Sequence, residues 1–335
     1  MTVFIAYIFS KEYFSIIKMK DKPQFYLAPL RGITDNIYRN AFENHFGRFD
    51  YLLAPFIPTV KGSFVNPSHV RDIDPEHNDT NRVIPQIIGN DPTDIITLAN
   101  HMASLGYRSV NLNLGCPHPQ ITRKKRGSGL LPYPEMIKSL LDQIMAEIRC
   151  SFSVKVRLGL LNSTDLENVI PVLNQFPLAE VIIHPRTGAQ MYEGAVDLNS
   201  FQKYCEMLKP TVTYNGDIWS LDHFKRYSTL FPSTTRWMLG RGVLSNPFLL
   251  EELADGAIVK KDRAVLKSFH DEIFAKSSER LCGPSHLLGK MKEFWSYVAN
   301  TFSDSKRILK TVQKKTSIIG YQLTVNEIFE KEPLI

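Results

Sequence analysis

The chain has 335 residues, of which 43% are hydrophobic and 22% are charged. This composition excludes a collagen, an intrinsically disordered protein and a disulfide-stabilised scaffold, and the length is enough for one large barrel with an appended domain. The formal net charge is +6, and residues 256–335 hold 14 Lys or Arg against 9 Asp or Glu. A basic segment beside a near-neutral body indicates a polyanionic partner, and the alternative is a solvated helical surface.

The four cysteines are dispersed, with no CxxC pair and no clustered histidines: Cys116, Cys150, Cys205 and Cys282. This spacing predicts neither a disulfide framework nor a metal site, and sparse cysteine favours the reducing cytoplasm. No apolar run approaches the ~20 residues that a membrane helix needs, so we expect no membrane association. Residues 1–18 lack the flanks of a signal peptide, and we interpret them as an N-terminal extension ahead of an alternative start at Met19.

Eight short apolar runs, rich in β-branched and aromatic residues, predict buried parallel strands. They cover residues 25–30, 51–56, 83–88, 109–114, 152–157, 180–185, 211–216 and 236–241. Helical spacing of apolar residues lies between them, at 94–105, 135–148, 166–176, 198–208 and 221–230. This alternation predicts an α/β fold, a TIM (β/α)₈ barrel over residues 19–255. The rival is a doubly wound open sheet, which would need a GxGxxG fingerprint that the sequence lacks.

The pattern changes after Asn246-Pro247, because helical spacing then recurs without intervening strands. The predicted helices cover residues 263–279, 285–302 and 305–316. Helices in succession favour a separate unit, so we predict a small C-terminal helical domain over residues 256–335.

Polar residues follow seven of the eight predicted strands, at the end where barrels of this kind place their active sites. Gly216 and Gly240 follow strands seven and eight, where small residues let backbone N–H groups approach a phosphate. Arg241 could add a charge-assisted hydrogen bond. A tight turn is the alternative for either glycine alone, and the pair on adjacent strands favours a phosphate site.

Seven segments in chain order resemble the tRNA-dihydrouridine synthase family of the bacterial type, over residues 26–248: APLRGITD, Gln86, NLNLGCPHPQITRKKRGSGLL, VKVRLG, HPRTGAQMYEG, NGD and LGRG. The stretch around Cys116 is highly specific, whereas NGD and LGRG would be weak alone. The resemblance implies a TIM barrel that holds FMN, followed by a helical domain that helps to grip tRNA. It also implies reduction of the C5–C6 bond of a uridine, with NADPH as the reductant.

Cys116 is the candidate general acid. Hydride transfer from flavin N5 to uracil C6 leaves negative charge at C5 and O4, so a proton donor is needed on the face opposite the flavin. A free thiol has a pKa near ~8.5, so it is mostly protonated at neutral pH and still able to give up its proton. The alternative is a buried, inert cysteine, which is our interpretation of the other three.

The candidate cofactor-binding residues are Pro29, Leu30, Arg31, Gln86, Lys155, His184, Asn215, Gly216, Asp217, Gly240 and Arg241. Lys155 lies mid-strand, and a buried lysine needs an anionic or acceptor partner. The resemblance places the corresponding lysine on FMN, whose N1–C2=O edge would supply the acceptor. We expect His184 to contact the flavin or its phosphate, with a structural histidine as the alternative.

The candidate substrate-binding residues are Asn113, Arg186, Arg123, Lys124, Lys125 and Arg126. Asn113 can donate and accept, so it could bind the uracil edge. The four consecutive basic residues suit a phosphate backbone, and a solvated charge run is an equal alternative. Seven C-terminal cations would form a second contact: Lys290, Lys292, Lys306, Arg307, Lys310, Lys314 and Lys315. We expect Trp295 and Tyr297 to lie in the core, and the protein to be a monomer.

Two other functions compete with tRNA reduction. One is an FMN-dependent free-pyrimidine oxidoreductase of the dihydroorotate type, which the basic C-terminal segment argues against. The other is a non-catalytic flavoprotein that binds tRNA, which the presence of Cys116 and Lys155 argues against.

Overall fold

A computed structural model describes residues 22–62 and 64–335, so the predicted extension over residues 1–18 lies outside the described residues. Within the described part of the chain, ten strands form one parallel sheet. They are β1 Gln24–Leu27, β2 Tyr51–Leu53, β3 Ile57–Pro58, β4 Val83–Ile84, β5 Gln86–Ile88, β6 Ser109–Leu114, β7 Ser151–Gly159, β8 Glu180–Thr187, β9 Thr211–Asn215 and β10 Arg236–Leu239.

The sheet is a closed barrel of eight strands, two of which are interrupted. Its order is β3-β5-β6-β7-β8-β9-β10-β1-β2-β4. Pro85, which has no N–H to donate, separates β4 from β5 in the predicted strand 83–88. The first half of that strand pairs with β2, and the second half pairs with both β3 and β6. The two ends of the order therefore belong to neighbouring strands, and the predicted TIM barrel is confirmed.

Ten helices accompany the barrel strands in the described residues. They are α1 Asn36–Phe46, α2 Pro67–Val70, α3 Pro92–Ser104, α4 Pro119–Thr122, α5 Pro134–Glu147, α6 Asp165–Leu173, α7 Leu198–Met207, α8 Leu221–Leu230, α9 Arg241–Ser245 and α10 Leu249–Asp255. The start of α3 is set by Asp91, whose carboxylate accepts the backbone N–H of Asp94 at 3.0 Å, with proline at the first helical position. The five helices predicted between strands are confirmed within a few residues, and the other five, α1, α2, α4, α9 and α10, were not predicted.

Four α-helices follow the barrel in the part of the chain that the structure describes: α11 Arg263–Arg280, α12 Pro284–Val298, α13 Ser305–Gln313 and α14 Ile318–Lys331. The first three confirm the predicted helices, and α14 was not predicted. The ring of Phe269 in α11 contacts Phe42 and Phe46 of α1, with ring centroids 6.1 and 5.0 Å apart. The hydrophobic core therefore continues from the barrel into these helices. The domain boundary after residue 255 stays a prediction.

The inside of the barrel is filled with side chains. An apolar cluster holds Tyr26, Leu53, Ile84, Ile182 and Met238. Filled interiors are usual in eight-stranded barrels, so ligand space is confined to the rims. None of the described helices is both long and apolar enough to cross a membrane.

Candidate active site

A cavity of about 500 Å³ opens at the carboxyl ends of the barrel strands, within the ~300–1,000 Å³ usual for ligand sites. The predicted residues that line it are Pro29, Leu30, Arg31, Asn113, Cys116, Lys155, His184, Asn215, Gly216, Asp217, Gly240 and Arg241. The predicted residues that do not line it are Gln86, Arg186, Arg123, Lys124, Lys125 and Arg126. The barrel thus brings together residues from strands that are far apart in sequence.

Several lining residues were not predicted, among them Phe56, Arg157, Tyr192, Glu293 and Tyr297. Arg157, in the VKVRLG segment, lies two positions after Lys155 in β7 and so shares its face of the strand, but no role was assigned to it from the sequence. The last two come from α12, which forms part of the cavity wall. Trp295 lies in the core, as expected, whereas Tyr297 is partly buried: it packs against the core and also lines the cavity.

The loop that carries Cys116 is held from both sides. The backbone N–H of Cys116 donates to Oδ1 of Asn113 at 2.8 Å, and its carbonyl accepts the backbone N–H and hydroxyl of Ser128 at 3.0 and 3.1 Å. Gly127 has a φ of +57°, and a Cβ there would stand 2.6 Å from the carbonyl oxygen of Cys116. The returning segment therefore clamps the cysteine loop, and it needs glycine to do so.

Burial raises the pKa of the Cys116 thiol. The backbone N–H of His118 and the positive charges of Arg157, Arg31 and Lys155 lower the pKa, but they do not outweigh the burial. The thiol is therefore protonated at neutral pH, which is the state that a general acid requires.

Lys155 points into the cavity from the middle of β7. Burial lowers its pKa to about 7, and the nearby charge of Arg157 acts in the same direction. No hydrogen bond or salt bridge joins its side-chain nitrogen to any other described residue. The side chain is therefore available to an acceptor inside the cavity.

The wall opposite Cys116 is ionic. Arg186, whose side chain is 1% exposed, donates to both carboxylate oxygens of Asp217 at 3.1 and 2.5 Å, and Arg241 donates to one of them at 2.7 Å. Burial opposes ionisation of Asp217, but these bonds outweigh it and hold the pKa of the carboxyl below its usual range. Arg186 is thus enclosed behind the cavity and does not line it. The sequence predicted instead that Arg186 contacts the substrate.

His184 is held in one protonation state by the same arginine. Its Nε2 lies 3.1 Å from a guanidinium nitrogen of Arg186. Because arginine can only donate, Nε2 must accept, and the proton of the neutral ring is on Nδ1. Burial, together with the charges of Arg157 and Lys155, lowers the pKa of His184 and agrees with this assignment. His184 can therefore offer a neutral N–H donor.

Two exposed aromatic rings flank Arg241 at the mouth of the cavity. Its guanidinium lies 4.8 Å from the ring centre of Tyr192 and 5.1 Å from that of Trp219. The guanidinium of Arg157 lies 5.4 Å from the same tyrosine ring. These cation–π contacts orient the arginines without neutralising them.

The basic run lies on the surface next to the cysteine loop. Arg123 and Lys124 are exposed. Lys125 stacks over the ring of Tyr133 at 4.2 Å, and Arg126 donates to Oδ1 of Asn90 at 3.0 Å. Two of the four side chains are therefore already engaged within the protein.

Comparison with known proteins identifies the family. The family model described as "Dihydrouridine synthase (Dus)" matches residues 26–321. The chain belongs to the dihydrouridine synthase family. The resemblance drawn from the motifs around Cys116 is thereby confirmed.

Curated relatives of this chain are about 25% identical to it in sequence over the aligned residues. The "tRNA-dihydrouridine synthase B" of Pasteurella multocida is 27% identical over 252 residues, 73% of each chain. The "tRNA-dihydrouridine(16) synthase" of Pseudomonas putida is 25% identical over 295 residues, 84% of this chain and 90% of the relative.

Two solved structures share the barrel fold at low identity. An old yellow enzyme homologue from Zymomonas mobilis superposes with a TM-score of 0.51 and 13% identity, over 73% of this chain and 92% of that one. Histamine dehydrogenase from Rhizobium sp. 4-9 has a TM-score of 0.53 and 11% identity, over 70% and 46%. These likenesses support the fold.

Proposed function

We propose that this protein is a tRNA-dihydrouridine synthase that reduces the C5–C6 double bond of a uridine in tRNA, with FMN as cofactor and NADPH as reductant. The observation that carries the proposal is the pairing, in one cavity, of a protonated thiol at Cys116 with the unpartnered side-chain amine of Lys155. The relatives named tRNA-dihydrouridine synthase support tRNA as the substrate.

The donor set of the cavity fits a flavin with a phosphate tail. Lys155 would bind the N1–C2=O edge of the ring, because that edge offers the acceptor that the lysine lacks among the described residues. Arg241 begins the short helix α9 after β10, which is where barrels of this type bind phosphate. His184 would add a neutral donor. These assignments are chemical matches between this site and FMN.

The protein's own groups supply the proton side of the reaction. When bound and reduced, the flavin supplies the hydride for C6 of the uracil. Cys116 would donate its thiol proton to C5. Burial raises the pKa of the thiol, so the sulfur still carries its proton when the base binds. Asn113 would bind a carbonyl of the base.

The tRNA grip that the structure supports is smaller than the one the sequence predicted. Lys290 donates to Asp35 at 2.8 Å and to the carbonyl of Gly32 at 2.7 Å, so it joins α12 to the loop after β1. Arg307 is paired with Asp304 and Glu332. We propose that the exposed cations contact phosphates instead, with the helical segment 256–335 as part of the grip: Arg123, Lys124, Lys306, Lys310 and Lys314.

A uridine in folded tRNA must leave its stack to reach such a cavity, at a cost of a few kcal/mol. The charged surface around the mouth would supply binding energy for that step. The monomeric state and the cytoplasmic location stay predictions.

The deciding experiment incubates the FMN-loaded protein with NADPH and unmodified tRNA, then quantifies dihydrouridine in a nuclease digest by mass spectrometry. Wild-type protein should form product, and Cys116→Ala should lower the rate by ~100-fold or more. Cys282→Ala, at an exposed free cysteine, is the matched control and should react normally. Fragment mapping would then give the position of the reduced uridine.

The absence of product from an FMN-loaded protein over a full tRNA pool would contradict the proposal. Assays with uracil and dihydroorotate would then test the free-pyrimidine alternative.

A further inference from the structure

A chain of hydrogen-bonded amides lies beneath Asn113 and crosses three strands. Nδ2 of Asn113 donates to Oε1 of Gln86, Nε2 of Gln86 donates to Oδ1 of Asn111, and Nδ2 of Asn111 donates to the hydroxyl of Ser153, each at 2.8 Å. Asn111 is directly opposite Gln86 in β5 and Ser153 in β7. We call these four residues the amide relay.

The direction of the relay is set at the cavity end. The backbone N–H groups of Gly115 and Cys116 both point at Oδ1 of Asn113, at 3.0 and 2.8 Å. A backbone N–H can only donate, so the atom between them must be the amide oxygen. Nδ2 of Asn113 must then face Gln86, and each later amide takes the one orientation that matches its neighbour.

Burial makes this orientation hard to change. Gln86 and Asn111 are 0% exposed, Ser153 is 2% exposed and Asn113 is 7% exposed. Rotating one amide alone would place two donors or two acceptors against each other in the barrel interior. Unpaired buried polar groups are costly, and a network of this kind favours one arrangement as a unit.

The relay decides what Asn113 can offer a ligand. Its oxygen already accepts two hydrogen bonds, which use both lone pairs, and one N–H is given to Gln86. The group left for the cavity is the second N–H of the amide. The expectation that Asn113 both donates and accepts toward a base is therefore corrected to donation alone.

We propose that Asn111 and Ser153, acting through Gln86, are positioning residues that fix Asn113 as a donor and so select a pyrimidine carbonyl. Uracil presents a carbonyl at C4, whereas cytosine presents an amino group there, which would face the N–H of Asn113. The proposal rests on the proposed function for its substrate. The direction of the relay itself rests on the contacts above.

The test is a double-mutant cycle between Asn113 and Ser153, whose side chains, among the described residues, are joined through Gln86 and Asn111 and not directly. In Asn113→Asp the carboxylate still accepts the two backbone N–H groups, but its second oxygen faces Oε1 of Gln86. Gln86 and Asn111 must then rotate, and the Ser153 hydroxyl must become the donor. Ser153→Ala removes the hydroxyl that completes either arrangement.

Single-turnover formation of dihydrouridine by FMN-loaded protein is measured for the wild type, both single variants and the double variant. We expect about 100-fold slower product formation in Asn113→Asp and about fivefold in Ser153→Ala, in line with the loss of a direct and an indirect hydrogen bond. The double variant should depart from the product of the two by more than threefold. The effects of independent sites usually multiply to within about twofold. A double-variant rate within about twofold of the product of the two single effects would therefore overturn the relay.

The control is Ser228→Ala, which removes another buried serine hydroxyl, one that donates within α8. It should combine multiplicatively with Asn113→Asp. The flavin absorbance of each variant shows that the cofactor is still held. If Ser228→Ala also gave the threefold departure, the coupling would reflect general loss of stability, and the relay would be overturned.

A second readout separates this inference from the proposed function. Alkylation of Cys116 by iodoacetamide, followed by peptide mass spectrometry, reports on the loop that Asn113 holds and needs no tRNA. The same four variants should give coupled alkylation rates, with faster reaction where the loop is released. If the wild type formed no dihydrouridine, the proposed function would fail, and the alkylation rates alone would test the relay. Coupled effects of the two substitutions on these rates would support the relay, and independent effects would overturn it.

Discussion

The two walls of the cavity are built from different kinds of polar contact. The wall beneath Cys116 includes Asn113, and neutral amides joined in one direction, beginning with Gln86, support Asn113 from behind. The opposite wall is a charged cluster in which Asp217 is bound by Arg186 and Arg241. Both walls are held by side chains buried within the barrel.

The difference matches what each wall must do for the proposed reaction. Neutral amides hold the thiol loop without adding a charge that would favour the thiolate, so the proton stays on sulfur. The arginines place positive charge where a phosphate would bind, and they need the carboxylate because a buried, uncompensated guanidinium is costly. Removing one residue of the charged wall should therefore cost more unfolding free energy than removing one residue of the neutral wall.

The largest expected effect is the removal of the central carboxylate. Asp217→Asn leaves Arg186, 1% exposed, without its counter-charge and should cost ~3–5 kcal/mol of unfolding free energy, measured by urea titration. The control Asp222→Asn changes an exposed acid in the first turn of α8 and should stay within ~0.5 kcal/mol of wild type. A cost below 1 kcal/mol for Asp217→Asn would contradict the contrast between the walls.

Lys155 lies between the walls and should make stability depend on pH. Its pKa of about 7 in the flavin-free fold is below its usual value of 10.5, so between these values the unfolded chain binds a proton that the folded protein does not. Stability should therefore rise with pH from about 7 toward 10.5, by at most ~1.4 kcal/mol per pH unit. In Lys155→Met this contribution disappears, and parallel urea titrations of both proteins from pH 7 to pH 9 would check it. Curves with equal slopes would contradict a neutral Lys155.

The neutral wall can be strained at Gly127, in the returning segment that clamps the Cys116 loop. Gly127→Ala places a Cβ against the carbonyl of Cys116 at a positive φ and should cost ~1–3 kcal/mol, with slower product formation because the thiol moves. Gly289→Ala is the matched control: apart from its chain neighbours and the adjacent backbone of α12, no atom of the described residues lies within 4 Å of its Cβ position, and it should gain up to ~1 kcal/mol. Thermal melts of both variants would reveal the difference, and equal melting temperatures would refute the clamp.

The smallest expected effect concerns the surface beyond both walls. Lys306→Met should reduce the salt dependence of tRNA binding by about one unit of slope, because each phosphate contact releases a counterion. Lys290→Met should leave the slope unchanged and weaken the attachment of α12, since Lys290 is bonded to Asp35. Filter binding at several salt concentrations distinguishes the two, and an equal loss of slope in both variants would show that Lys290 also reaches tRNA.

The sequence by itself determined the barrel and most of the cavity lining. The strand and helix periodicities depend on neighbours along the chain, so they could be recognised without coordinates. Residues just after strands, such as Cys116 and Arg241, line the cavity because the carboxyl ends of parallel strands meet at one rim. The specificity of the motif around Cys116 indicated the family.

Only the tertiary structure decided how those residues are used. Arg186 is paired with Asp217, which lies 31 positions away in the chain. Lys290 is paired with Asp35, which lies 255 positions away. The contribution of Tyr297 to the cavity depends on how α12 packs, and helical spacing alone could not reveal it. The orientation of the Asn113 amide depends on backbone N–H groups that turn toward it only when the loop is folded. Side-chain type and order are local properties, whereas burial and hydrogen-bond partners belong to the folded chain.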